Sequence, residues 1–242
     1  MNDVIKQPLY ILSAVPVEPS KISNIFELKE NSVSGFMENP GVQRSGGWDL
    51  QTLDHAKIIK GEYLEVRNGK RKIINLYEDG TLIYRMAADE EMLGWGRNKS
   101  EYEKSPRLNP VAVIESTYNF VIFYQTLLLK YFENKPQNVK FMIYIKNAIL
   151  NNARLYLLPY GIKNTSWIFD AEDERKYAQA NDLEKEITFP SQEIEGNYEH
   201  IAYELIKLFY LLFGIPSNQI PYTEEKNKVR IIDIHKMLKF NE

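Results

Sequence analysis

Every tryptophan in the chain lies in a glycine- or serine-containing loop: Ser45-Gly46-Gly47-Trp48, Leu93-Gly94-Trp95-Gly96-Arg97 and Asn164-Thr165-Ser166-Trp167. A rigid ring held in such a turn can stack on a base, lie over a ligand or close off the end of a core. Arg44, Arg97 and Arg107 flank these loops, and Lys57, Lys60, Arg67, Lys70, Arg71 and Lys72 gather around one hairpin. Cations beside rings can grip a phosphate backbone and stack bases. The candidate binding set is therefore Arg44, Trp48, Lys70, Arg71, Lys72, Trp95 and Arg97. A plainer reading competes with it and carries more weight: turn lysines keep hairpins soluble and guard edge strands, and loop tryptophans cap cores.

Most catalytic classes fall away. The chain has no cysteine, which removes disulfides, thiolate metal sites and cysteine nucleophiles. His55, His200 and His235 are scattered and form no His-Glu-x-x-His run. His200 is expected on a solvated helix face with Glu204 and Lys207, and the other two as ordinary surface histidines. Glycine-rich phosphate loops and the Gly-x-Ser-x-Gly elbow are missing from the sequence. Carboxylates remain. A metal-dependent nuclease or phosphohydrolase can be assembled from scattered acids, here Asp79, Asp89, Glu90, Asp170 and Asp173. Acidic runs are usually solvated faces, however. Glu65-Val66-Arg67 has the acidic-x-basic spacing of some nucleases, yet on a strand with Leu64 and Val66 turned to the core both charges are expected simply to face solvent.

The elements that position these residues follow from composition and period. With 242 residues, 44% hydrophobic and 12% aromatic, the chain can bury a substantial core, and one compact domain over 1–242 is expected. A polar stretch at 98–109 is the candidate internal boundary. The net charge of -3, from 30 basic and 33 acidic residues, lacks the excess of a protein held on nucleic acid by charge alone. The N-terminal segment makes a poor secretory signal, and polar residues interrupt the longest apolar run, so a cytoplasmic protein without a membrane span is expected.

Residues 9–15 read as a buried strand, and Pro19-Ser20 as the start of a short helix through Leu28 that the 31–47 stretch breaks. Strands at 63–67, 72–77 and 81–85, joined at Asn68-Gly69 and Asp79-Gly80, predict a three-stranded antiparallel meander. Asn109-Pro110 caps and opens a long helix to about residue 132, with Glu115, Asn119, Thr126 and Lys130 as its polar stripe. Strands are expected at 139–149, 154–158, 183–189 and 229–232. A second major helix spans 198–213, ending at Gly214 and Pro216, and a short one lies near 234–238. Consecutive groups of strands imply an α+β fold with a mixed, mostly antiparallel sheet and two major helices.

Arg44-Ser45-Gly46-Gly47-Trp48-Asp49-Leu50, Gly61-Glu62-Tyr63-Leu64-Glu65, Leu76-Tyr77-Glu78-Asp79-Gly80-Thr81, Leu108-Asn109-Pro110 and Tyr118-Asn119-Phe120-Val121 give the chain a motif-level resemblance to a family. They resemble the C-terminal module of some prokaryotic proteins that begin with a Schlafen-type (Alba-like) DNA-binding domain. That domain is itself not evident in this sequence. The resemblance implies a module accessory to nucleic-acid or defence-related machinery, and it brings no catalytic residue with it. The resulting expectation is a noncatalytic recognition or assembly module with no cofactor and no metal. Its expected partner is a protein in a larger assembly or weakly held single-stranded nucleic acid. The metal-dependent nuclease or phosphohydrolase is the alternative, and a purely structural subunit a third possibility.

Overall fold

The computed structural model describes residues 8–41, 48, 50, 54–88, 93–94, 104, 106–150, 153–157 and 176–238. Strand β1 (Leu9–Pro16) is followed by the two-residue strand β2 (Lys21–Ile22), helix α1 (Val33–Glu38) and β3 (Lys57–Ile59). The meander comes next as β4 (Tyr63–Asn68), β5 (Lys72–Tyr77) and β6 (Leu82–Ala87). Gly69 and Gly80 take positive φ at its two turns, as the turn dipeptides require. The two-residue β7 (Arg107–Leu108) leads into α2 (Pro110–Lys130), capped by the Asn109 side chain accepting from Val111 N–H at 3.0 Å.

After α2 come β8 (Phe132–Asn134), β9 (Asn138–Lys146) and three two-residue strands, β10 (Ile149–Leu150), β11 (Ala153–Arg154) and β12 (Tyr156–Leu157). The chain continues with β13 (Lys176–Tyr177), β14 (Leu183–Pro190), α3 (Ser191–Gly196), α4 (Tyr198–Leu212), the hairpin β15 (Thr223–Lys226) and β16 (Val229–Ile232), and α5 (Ile234–Leu238). No helix among the described residues is long and apolar enough to cross a membrane.

The fold is α+β. Seven strands form one sheet in the order β14-β9-β1-β6-β5-β4-β3, antiparallel at every pairing. Among the described residues the parallel pairing lies outside it, between β7 and β12. The register sorts side chains cleanly between the two faces, because alternate residues of a strand point to opposite sides. Tyr10, Leu12, Ile74, Leu76, Leu82, Tyr84, Phe141 and Ile143 share one face, and all belong to the core cluster with α2 and α4. Tyr10 Oη meets Thr117 Oγ1 at 2.8 Å, tying the central strand to the central helix.

Three expectations need correction. The segment after Ser20 is not helical: Ile22 N–H donates to Glu78 O at 2.8 Å and Ser23 N–H to Tyr131 O at 2.9 Å. Those long-range bonds hold Lys21–Ile22 as a strand followed by a turn, and the helix forms later, where Ser32 caps α1. The polar stripe of α2 is not its least buried side along its length. Glu115 and Asn119 are buried, Thr126 bonds back to Ile122 O at 2.9 Å, and Lys130 alone of the four is exposed. A helix covered on all sides spends its polar groups on neighbours instead. Thus Asn119 Nδ2 donates to Trp48 O and Gln125 Nε2 to Glu195 O, at 3.2 and 2.7 Å. The strand expected at 154–158 is divided between β11 and β12. Most of 98–109 lies outside the described residues, and Leu93 and Leu108, from either side of its main part, enter the same core cluster.

Candidate functional site

The second face of the large sheet stands apart from the core. Its apolar side chains Leu9, Ile11, Val15, Ile73, Ile83 and Met142 are half-buried, and none belongs to the core cluster. Two adjacent rows run across it. One reads Arg67, Ile73, Arg85, Ile11, Tyr144, Glu184 from β4 to β14. The other reads Lys57, Glu65, Asn75, Ile83, Ser13, Met142, Glu186 from β3 to β14. Each begins with a cation on β3 or β4, meets one polar and one apolar residue on β6 and β1, and ends on a carboxylate at the outermost strand.

A hydrogen-bonded chain crosses the β4–β6 half of this face. Arg67 Nε donates to Glu65 Oε1 at 2.9 Å, Asn75 Nδ2 to Glu65 Oε2 at 3.1 Å, and Arg85 Nη2 to Asn75 Oδ1 at 2.9 Å. This overturns the expectation of a solvated Glu65: the acid is 7% exposed because its cross-strand partner Asn75 and its strand neighbour Arg67 enclose it. Nearby, the Tyr63 and Tyr77 rings lie 4.9 Å apart. Partial burial and the neighbouring Tyr63 push the Tyr77 phenol above its ordinary value, against the pull of Arg85. On the other half Tyr144 Oη donates to Met142 Sδ at 3.0 Å, and Lys146 Nζ lies 5.7 Å from the Tyr144 ring centre. Burial, then the Glu184 and Glu186 carboxylates, push the Tyr144 phenol up. In the middle, Ser13 Oγ is buried with no hydrogen-bond partner among the described residues.

Those residues singled out in the sequence that are described do not come together on this face. Lys70 and Arg71 are exposed in the β4–β5 turn, whereas Lys72 is 8% exposed on the helix-covered face, where it pairs across the ladder with Met86. The three therefore do not form one basic patch. Trp48 is half-buried and packs against the core. Arg107 is 1% exposed and closed to phosphate. Arg44, Trp95, Arg97 and Trp167 lie outside the described residues, as do Asp89, Glu90, Asp170 and Asp173.

Asp79 serves its own turn, accepting from Thr81 N–H at 2.8 Å and Thr81 Oγ1 at 3.1 Å. No three His, Asp or Glu side chains converge as metal ligands among the described residues. His55 Nδ1 meets Glu38 Oε2 at 3.1 Å. His200 turns to the Arg230 carbonyl at 3.0 Å, while Lys207 bonds Glu204 at 2.9 Å without it. A cavity of about 240 Å³ opens where Tyr198, Glu199 and His200 of α4 meet Lys226 and Asn227 of the β15–β16 hairpin. Within its lining Lys226 Nζ lies 3.7 Å from Glu199.

Comparison with protein-family models, with curated proteins and with solved structures finds no match. The second sheet face was missed in the sequence because β1 and β6 carry apolar residues on both sides. That pattern reads as a strand buried on both faces, and only the register separates the two sets.

Proposed function

We propose that this chain is a noncatalytic recognition or assembly module whose second sheet face receives a protein partner. One observation carries the reading: half-buried Ile11, Ile73, Ile83 and Met142 lie outside the core cluster and are rimmed by charged and aromatic residues. An apolar centre with a polar rim is the anatomy of a protein interface. Three of the five cations of this face already have polar company, Arg67 at Glu65, Arg85 at Asn75 and Lys140 at Glu186, which favours a protein over a phosphate backbone. The resemblance to the C-terminal module of Schlafen-type proteins is in keeping with an accessory role of this kind.

The test is affinity capture with wild type and with a folded Ile73→Glu, Ile83→Glu variant at physiological salt. A stoichiometric protein partner retained by the wild type and lost by the variant is expected. Equal capture by both, or nucleic acid as the bound species, would sink the reading.

A further inference from the structure

Asn68 is the chain's single asparagine followed by glycine; it ends β4, and Gly69 opens the turn to β5. An asparagine side chain has a slow reaction open to it wherever the next backbone nitrogen can reach its amide carbon. A glycine in that next position leaves the approach clear, because it has no Cβ. In a folded chain the outcome depends on how firmly the two groups are held apart.

Here they are held loosely. Asn68 and Lys72 are the terminal register pair of the β4–β5 ladder, and Arg71 N–H closes the turn by donating to Asn68 O at 3.2 Å. Gly69, Lys70 and Arg71 are exposed, and a Cβ on Gly69 would meet open space. Among the described residues neither the Asn68 side chain nor the Gly69 N–H makes a hydrogen bond. The frayed end of a hairpin opens at little cost, so Asn68 can leave its extended backbone and bring Cγ to the Gly69 nitrogen. Lys70 and Arg71 follow directly, and cations beside a group that loses a proton favour the deprotonated form.

The other turn of the meander, Asp79-Gly80, has the same spacing and is locked. Gly80 N–H donates to Tyr77 O at 3.0 Å, both Asp79 carboxylate oxygens accept from Thr81, and Gly80 lies against the Phe132 ring. At Asn31 the following nitrogen is likewise engaged, with Ser32 N–H donating to Lys29 O at 3.1 Å.

We propose that Asn68 is a site of spontaneous deamidation through a succinimide formed with Gly69. The Gly69 nitrogen passes its proton to hydroxide or water and attacks Asn68 Cγ. The new C–N bond closes a five-membered imide, the Cγ–Nδ2 bond breaks, and Nδ2 takes up a proton from water and leaves as ammonia. Water then adds to either imide carbonyl and cleaves its bond to the Gly69 nitrogen, which regains a proton. Cleavage at Cγ gives an aspartyl residue, and cleavage at the main-chain carbonyl gives an isoaspartyl residue. The balance is one water consumed, one ammonia released and one negative charge gained. Either product sets a carboxylate beside Lys70 and Arg71. The isoaspartyl form also adds a backbone carbon at the end of the ladder, next to Arg67, whose Nε is held by Glu65 at 2.9 Å.

The test incubates the full folded chain in heavy-oxygen water at neutral and mildly alkaline pH, followed by peptide mapping by mass spectrometry. A synthetic peptide of residues 66–73 gives the rate of the unhindered reaction. Heavy oxygen is expected to enter at Asn68 in both product forms, faster at alkaline pH, and within about tenfold of the peptide's rate, as a frayed hairpin end allows. Asn31 and Asp79 should take up label only when the chain is unfolded in urea. Asn68→Gln, which would need a larger ring, and Gly69→Ala, whose methyl obstructs the approach, should each all but abolish labelling while circular dichroism shows the fold intact.

A folded chain whose Asn68 stays unlabelled after the peptide has fully converted overturns the inference, as does labelling of Asn31 or Asp79 as fast as Asn68. Labelling of Gly69→Ala at the wild-type rate would mean direct hydrolysis of the amide and overturns the succinimide route.

Discussion

Arg85 Nη2 donates to Asn75 Oδ1 at 2.9 Å, and this bond determines how the Asn75 amide is turned in a site where the residue is wholly buried. The amide nitrogen is left to donate to Glu65, so a single side chain joins a guanidinium on β6 to a carboxylate on β4. Asn75→Leu keeps the volume and removes both bonds, leaving Glu65 buried with one donor fewer. A loss of about 1–3 kcal/mol is expected by urea denaturation, from the desolvation of polar groups left unmatched. Unchanged stability would show that Arg67 alone satisfies Glu65.

The two turn glycines of the meander should respond unequally. Both have positive φ, but a Cβ at Gly69 would meet open space whereas one at Gly80 would run into the Phe132 ring. Gly69→Ala is expected to cost about 1 kcal/mol in backbone strain alone. Gly80→Ala adds displacement of a ring packed against the core and should cost at least twice as much. Equal melting temperatures for the two variants would contradict the contact.

Thr117 donates to Val113 O at 2.7 Å, so its single proton is spent and Tyr10 must be the donor in their mutual bond. Thr117→Val strands the buried phenol and should cost about 1–3 kcal/mol, more than Tyr10→Phe, which removes the donor along with its need. Burial holds the Tyr10 phenol well above its ordinary value. The same phenol ionises at about pH 10 in the unfolded chain, so above that pH the unfolded state holds fewer protons and stability falls as pH rises. Denaturant midpoints at successive alkaline pH values should decline, and Tyr10→Phe should decline less steeply.

How much of this was legible in the sequence depended on range. The meander, β9, α2, α4, β16 and α5 lie where local period and turn chemistry put them, because Asn68-Gly69, Asp79-Gly80 and Asn109-Pro110 act within a few residues. The failures are long-range. Nothing near Ser20 reveals that Ile22 N–H bonds to Glu78, and nothing in the α2 pattern reveals that Asn119 will reach Trp48 O. The candidate site was less legible still: Lys57, Arg67, Glu184 and Glu186 lie in three separate segments, and only the order β14-β9-β1-β6-β5-β4-β3 sets them at opposite ends of one face.

Trp48 supports the core from one side, and its carbonyl accepts from Asn119 Nδ2 at 3.2 Å. Trp48→Ala is expected to lower stability by about 2 kcal/mol, less than for a fully buried tryptophan because the ring is half-exposed. Partner capture by the folded fraction should be unchanged. Loss of capture without loss of stability would restore the ring to a recognition role.

Lys70, Arg71 and Lys72 separate in the same way, and the separation tests what the hairpin does. A solvated turn cation acts through long-range charge, so Lys70→Ala with Arg71→Ala should leave the melting temperature within about 1 °C, as surface substitutions usually do. That pair should also abolish whatever weak retention of single-stranded DNA occurs at low salt, a contact that physiological salt screens in any case. Lys72 sits on the helix-covered face. Its stem packs there, and Lys72→Ala should lower stability by about 1 kcal/mol through lost contact. Anisotropy of a labelled oligonucleotide alongside thermal melting distinguishes the two cases. Lys72→Ala that weakens DNA binding as strongly as the double variant, with no change in melting, would place all three cations in one exposed patch and reverse the assignment made from burial.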